Sequence, residues 1–193
     1  VLRATRTRSL GAIPLSSTPA KALDPEEATA LVAQHLAARG LGELGWGKEA
    51  SSLRERLRAL HEALGDPWPD VSDEALAGSA EQWLAPWGRR LASGSPLSQV
   101  SMLEVLRAML PWPQAARLDE LAPEKLPIPS GGTRPIDWSG AHPVLTLRVQ
   151  QAFGWTDTPR LLDGRVPLVL HLTDPAGRPA AVTSDLTSFW AGP

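Results

Sequence analysis

The chain has 193 residues, 42% of them apolar, with 19 basic and 21 acidic side chains and a formal net charge of -2. It is long enough to bury roughly two-thirds to three-quarters of its unfolded surface, yet it lacks the overall positive field of a free-standing nucleic-acid binder. The absence of cysteine excludes disulfides and thiolate metal sites and fits a reducing compartment. No apolar run reaches the length of a membrane span, and the basic N-terminus lacks the apolar segment of a signal peptide, so a soluble, cytoplasmic protein is expected. Nineteen prolines and 16 glycines predict short elements. Nearly all the positive charge is arginine, with lysine only at Lys21, Lys48 and Lys125. A guanidinium suits phosphate contacts and base stacking, but a chain rich in alanine, leucine and arginine acquires the same bias without any function.

From the N-terminus, residues 1–15 read as a strand, with Arg6 and Arg8 on one face and Thr5 and Thr7 on the other, interrupted at Gly11 and Pro14. A chain that begins in mid-strand is expected to continue from a domain upstream, where the pairing partner of segment 1–20 would lie. The first helix is signalled by Asp24 as N-cap, Pro25 at the first position and Glu27 in a capping-box spacing. Ala28, Leu31, Val32, His35 and Leu36 recur at helical period, and Gly40 is the stop. His35 has no second histidine or carboxylate at ligand spacing, so it reads as a packed or half-exposed histidine. Residues 42–48, GELGWGK, have the spacing of a phosphate-binding loop. The context differs: a helix stop precedes them, and Glu49 stands where a magnesium-binding hydroxyl belongs. The loop reads as a helix connector with Trp46 packed inward.

A second helix is expected over 49–64, with Leu53, Leu57, Leu60 and Leu64 on one face. Its LRERLR run, interleaved with Glu49, Glu55 and Glu62, reads as a solvated face. A short third helix follows Ser72 or Asp73, with Leu76, Ala80, Trp83 and Leu84 inward. The DEAL at 73–76 resembles a helicase metal-binding box, but it opens a helix instead of ending a buried strand. Ser95 and Pro96 begin a fourth helix reaching Leu110, and a short segment from Gln114 to Leu121 closes the helical part. The eight tryptophans lie mostly at junctions, where packing against helix ends is expected.

In the last third, Ile128 and Ile136 flank SGGT as a short edge hairpin bounded by prolines. Residues 144–153 have both strand composition and helical spacing, and Gly154 favours helix. Residues 165–173 alternate around Leu168, Leu170 and Leu172 as a strand, which a type I turn at 174–177 returns into a second strand at 181–183. Ser184 or Asp185 caps a final helix carrying Leu186, Phe189 and Trp190. The expected architecture is α+β: a strand-like segment at 1–20, a mainly helical region at 21–125, and a small mixed α/β unit with a β-hairpin at 126–193.

LDELAP at 118–123, PSGGTRPIDW at 129–138, VLTLRVQQAFGW at 144–155, the run from Gly164 to Trp190 and RSLGAIPL at 8–15 together resemble the C-terminal region of the bacterial ATP-dependent RNA helicases of the HrpB family, of DEAH-box type. The resemblance implies the accessory end of a larger motor, non-catalytic in itself. The ATP and magnesium sites are then expected in motor domains upstream of this chain, with no cofactor here, and a basic tail is expected beyond it. Two readings remain open. One is a nucleic-acid-contacting domain that guides single-stranded RNA or DNA, with Arg134, Arg148, Arg165 and Arg178 as candidate phosphate contacts. The other is a docking module that binds the motor domains of the same chain, or another partner, through an apolar, tryptophan-rimmed face. The four arginines either converge on one surface or are separately solvated or carboxylate-paired. His35, His61, His142 and His171 form no nucleophile or metal spacing, so a free-standing enzyme is not indicated.

Overall fold

A computed structural model describes residues 5–10, 13–19 and 23–192, with side chains described from Leu23 onward. The described residues form an α+β structure of two units. The first unit takes the residues through Ala50 together with Val71–Leu106, and the second takes Ser51–Asp70 and the residues from Arg107 on.

The first unit opens on a hairpin of β1 (Thr5–Leu10) and β2 (Ile13–Pro19), which pair antiparallel with a register shift between Arg8 and Ser9. The first strand therefore finds a partner within the chain. Pro14 does not interrupt β2 but sits opposite Ser9 at the shift, a position where its missing N–H is tolerated. Gly11 and the side chains of the hairpin, including Arg6 and Arg8, lie outside the described residues.

Helix α1 (Pro25–Arg39) starts as expected: the Asp24 carboxylate accepts from the Glu26 amide at 2.8 Å and Pro25 takes the first position. Its buried face is Ala28, Thr29, Val32, Ala33 and Leu36, while Leu31 is 45% exposed. The expected stripe through Leu31 and His35 is thus rotated. Gly88 accounts for the rotation, because a Cβ there would come within 2.9 Å of the Pro25 carbonyl oxygen and 3.0 Å of Thr29 Oγ1. The missing side chain lets that backbone lie against the Pro25 carbonyl and the buried Thr29. His35 instead meets Glu43 at 3.0 Å on the surface.

Helix α2 (Lys48–Leu64) begins in this unit and runs on into the second. Helix α3 (Asp73–Gly78) is capped by Ser72, whose hydroxyl accepts from the Ala75 amide at 3.2 Å, so the DEAL residues open a helix. Helix α4 (Ala80–Leu84), a 3-10 turn at Ala85–Trp87 and α5 (Gly88–Ala92) follow. The fourth expected helix is broken in two: a 3-10 turn at Leu97–Gln99, then α6 (Met102–Ala108). Between them Val100 is extended, and its carbonyl accepts the Gly45 amide at 3.0 Å. This bridge competes with helix continuation, and it requires glycine at 45, where a Cβ would lie 2.7 Å from the carbonyl oxygens of Ser98 and Val100.

The second unit is built on the continuation of α2, on α7 (Trp112–Leu121) and on a five-stranded sheet. The sheet comprises β3 (Lys125–Pro127), β4 (Thr133–Asp137), β5 (Val144–Arg148), β8 (Val169–Thr173) and β9 (Pro179–Thr183), adjacent in that order. Between β5 and β8 run a 3-10 turn at Val149–Ala152 and a small pair, β6 (Arg160–Leu161) with β7 (Val166–Pro167). All pairings in the sheet are antiparallel except β5 with β8, which is parallel with Leu145 opposite Leu170. Helix α8 (Leu186–Ala191) ends the chain's described elements.

The 144–153 segment is therefore a strand and a turn, not a helix. Leu145 and Leu147 are buried while Thr146 and Arg148 are exposed, and pairing with β8 rewards that alternation more than isolated helical spacing could. The β8 to β9 return follows the expected turn, with the Gly177 amide donating to the Asp174 carbonyl at 3.0 Å. Leu168, Leu170 and Leu172 are all buried.

One charged side chain organises this unit. Arg56 of α2, read from sequence as part of a solvated face, is 3% exposed. Its Nε donates to the Ala122 carbonyl at 2.5 Å, and its two terminal nitrogens meet Asp119 and, at 3.3 Å, Glu124. Arg58, two residues on and so on a different side of α2, donates to the carbonyls of Trp138 at 2.9 Å and Gly140 at 2.7 Å. Four indole N–H groups act in the same way on backbone carbonyls: Trp46 on Leu41, Trp83 on Leu76, Trp138 on Pro123 and Trp190 on Trp155.

Replacing Leu170 by alanine should cost about 2–5 kcal/mol in urea denaturation, the usual range for a buried leucine. A loss under roughly 0.5 kcal/mol, the size of a surface change, would show that the strand register is wrong. Arg56→Lys should lose about 1–3 kcal/mol, because a single ammonium cannot serve the Ala122 carbonyl and both carboxylates and leaves a buried acceptor unpaired. Unchanged stability in the same assay would remove Arg56 from its organising position.

Candidate nucleic-acid interface

The sheet register decides which of the four candidate arginines lie together. Arg148 is the last residue of β5 and stands opposite Thr173, the last residue of the parallel β8. Arg178 lies in the turn that follows β8. Strand β4 runs antiparallel to β5, with Ile136 opposite Leu145, so Arg134 also lies towards the Arg148 end. Three arginines thus share one end of the sheet. Arg165 precedes β7 and β8 and belongs to the other end, the length of β8 away, roughly 16 Å for five residues at about 3.3 Å each.

Their chemical states differ. Arg165 donates to the Ala63 carbonyl at 3.0 Å, and Arg178 pairs with Asp174 at 2.7 Å. The Asp174 carboxyl is held below its ordinary range, first by the Arg178 backbone N–H and then by the guanidinium. Arg134 and Arg148 are exposed, and among the described residues neither forms an ion pair. They occupy opposite faces by strand alternation: Arg134 has the parity of the inward Ile136, and Arg148 that of the outward Thr146. A chain laid across this end of the sheet would pass both.

The local structure around these arginines is closed by hydrogen bonds. The β3 to β4 turn is closed by the Gly131 amide donating to Ile128 and the Ile128 amide donating to Gly132, at 3.0 and 3.2 Å. Gly131 and Gly132 both have positive φ, which suits glycine at such a turn. Beyond Arg148, the Gln151 side chain accepts from the Arg148 amide at 3.1 Å and the 3-10 turn leads to Phe153. Phe153 is 57% exposed and lies against Trp190, with ring centroids 5.6 Å apart. The sequence reading placed Phe153 in a helix and gave it no surface role.

Other sequence candidates are absorbed by the fold. In the GELGWGK loop the amides of Gly45, Trp46 and Gly47 donate to the carbonyls of Val100, Leu44 and Gly45. Those donors are turned inward, whereas a phosphate loop presents them to its ligand. Among the described residues no group of three or more His, Asp or Glu side chains is placed to hold a metal ion, and no helix is long and apolar enough to cross a membrane. A cleft of about 160 Å³ between the end of α2 and the loop after β4, lined by Ala59, Glu62, His142 and Leu162 among others, contains no candidate arginine.

Residues 83–193, which include α7 and the whole five-stranded sheet, match the family HrpB_C, described as ATP-dependent helicase C-terminal. The chain belongs to that family. It is 34% identical to the ATP-dependent RNA helicase HrpB of Escherichia coli strain K12 over 193 residues, which are 99% of this chain and 24% of the relative. Two crystal structures agree with it over its whole length. One is the E. coli DExH-box NTPase HrpB, with a TM-score of 0.78 and 33% identity. The other is the E. coli DEAH/RHA helicase HrpB, with a TM-score of 0.74 and 32% identity. The chain spans about a quarter of the length of these relatives.

Proposed function

We propose that this chain is the accessory C-terminal domain of an ATP-dependent RNA helicase and that it helps to hold or guide a nucleic-acid strand during ATP-driven unwinding. The observation that carries this reading is the pair Arg134 and Arg148, exposed at one end of the sheet and, among the described residues, in no ion pair. Arg178 joins them if its exposed pair with Asp174 opens, since such surface pairs contribute little. Arg165, at the other end and bonded to Ala63, takes no part. ATP and magnesium act elsewhere in the helicase, and the inward amides of residues 45–47 support that division. The lack of cysteine supports a cytoplasmic setting.

Titrating the chain with single-stranded RNA at two salt concentrations tests the phosphate contacts. Each contact should contribute a slope of about -0.7 in log K against log salt, so Arg134→Ala with Arg148→Ala should flatten the slope by roughly 1.4. An unchanged slope and affinity would leave the docking reading in front. In a separate thermal melt, ATP with magnesium should leave the transition where it is. A rise in melting temperature that Lys48→Ala abolishes would place a nucleotide site in this chain after all.

A further inference from the structure

Exposed large apolar side chains in the second unit include Trp112, Phe153, Val182 and Trp190, and of these Phe153 and Trp190 touch one another. Their rings meet at 52°, forming a corner, and Trp190 is backed edge-on by Phe189 with centroids 5.0 Å apart. The corner is held from three directions. The Trp190 indole N–H donates to the Trp155 carbonyl at 3.0 Å. The start of α8 is tied down by the Leu186 amide on Thr158 Oγ1 at 2.9 Å and by the Thr187 hydroxyl on Asp157 at 3.0 Å. Gly154, with φ at 111°, lies so close to the β3 to β4 turn that a Cβ there would stand 3.0 Å from Pro129 Cβ. Phe153 and the partly exposed Trp190 are therefore held together next to the hairpin that leads into Arg134.

Arg148 lies five residues before Phe153 across the 3-10 turn at Val149–Ala152, a span of about 10 Å at roughly 2 Å per residue. Across such a span an arginine side chain could reach the phosphate of a nucleotide whose base lay against Phe153. A purely apolar partner would leave Arg134 and Arg148 without counter-charges, whereas a nucleotide presents a flat ring and an anion together.

Building on the phosphate-contact reading, we propose that Phe153 and Trp190 form a stacking corner for an unpaired nucleobase whose backbone is held by Arg148. Within a duplex, base faces are covered by their stacked neighbours, so the corner selects single strands. Base stacking on aromatic side chains tolerates any base identity, and the corner adds no hydrogen-bonding group that would read sequence.

The test compares this chain's affinity for a single-stranded RNA, for a strand of equal phosphate number with its bases removed, and for a blunt duplex of the same sequence. The based single strand should bind about 5- to 100-fold more tightly than the abasic one. Phe153→Leu, which keeps an apolar side chain, should remove that advantage while leaving abasic affinity unchanged, and Phe153→Trp should retain it. Equal affinity for based and abasic strands, together with a steep salt dependence, would overturn the stacking corner and keep the phosphate contacts. So would a Phe153→Leu variant that still discriminates, or a duplex bound as tightly as the single strand. Absence of any salt-dependent binding would remove both.

Discussion

The second unit depends on a guanidinium taken out of water. Arg56 has a side chain 4% exposed, whereas its carboxylate partners Asp119 and Glu124 remain 87% and 63% exposed. The acids therefore keep most of their hydration, and the desolvation cost falls mainly on the arginine, a group more weakly hydrated than an ammonium. That asymmetry makes the buried charge tolerable. Its consequence is geometric: a planar fork with separate donors fixes the end of α7, the fully buried Ala122 carbonyl and the approach to β3 against one point on α2.

Arginine is used repeatedly in this way. Arg58 gathers the carbonyls after β4, Arg160 donates to Gly164 at 2.6 Å and Arg165 at 3.0 Å, and Arg165 reaches Ala63. Proline and glycine keep the elements short and leave many loop carbonyls without ladder partners, and guanidinium donors satisfy them from a distance. The bias for arginine over lysine is thus partly architectural. It also separates the arginines that staple loops from Arg134 and Arg148, which among the described residues form no ion pair.

Local signals were legible in the sequence and long-range ones were not. The Asp24 cap, the β8 to β9 turn with its inward leucines, and the Asp185 cap of α8 each follow from residues within a few positions of one another. Arg56 was misread because the groups that make it structural lie 63 to 68 residues away. The same holds for β5, whose strand state depends on β8, and for the buried face of α1, which Gly88 sets. The arginines could be named from sequence, but their grouping could not, since it rests on the parallel register that carries Arg148 and Thr173 to one end.

The two proposed phosphate contacts and the proposed stacking corner would together make a weak site, and weakness would suit an accessory element. At the salt of a cell such a patch alone would hold a strand only briefly. Joined to a motor that held the same strand, it would work at the effective concentration set by the tether, which is millimolar for short connections. Modest intrinsic affinity would then raise occupancy without slowing release between steps, whereas a tight site would oppose translocation. The chain spans about a quarter of its helicase relatives, so most of the grip on the strand would come from the rest of such a protein. The rigid setting of the corner matters more in that regime than extra contact area, because a preorganised surface has little ordering entropy left to lose each time it engages.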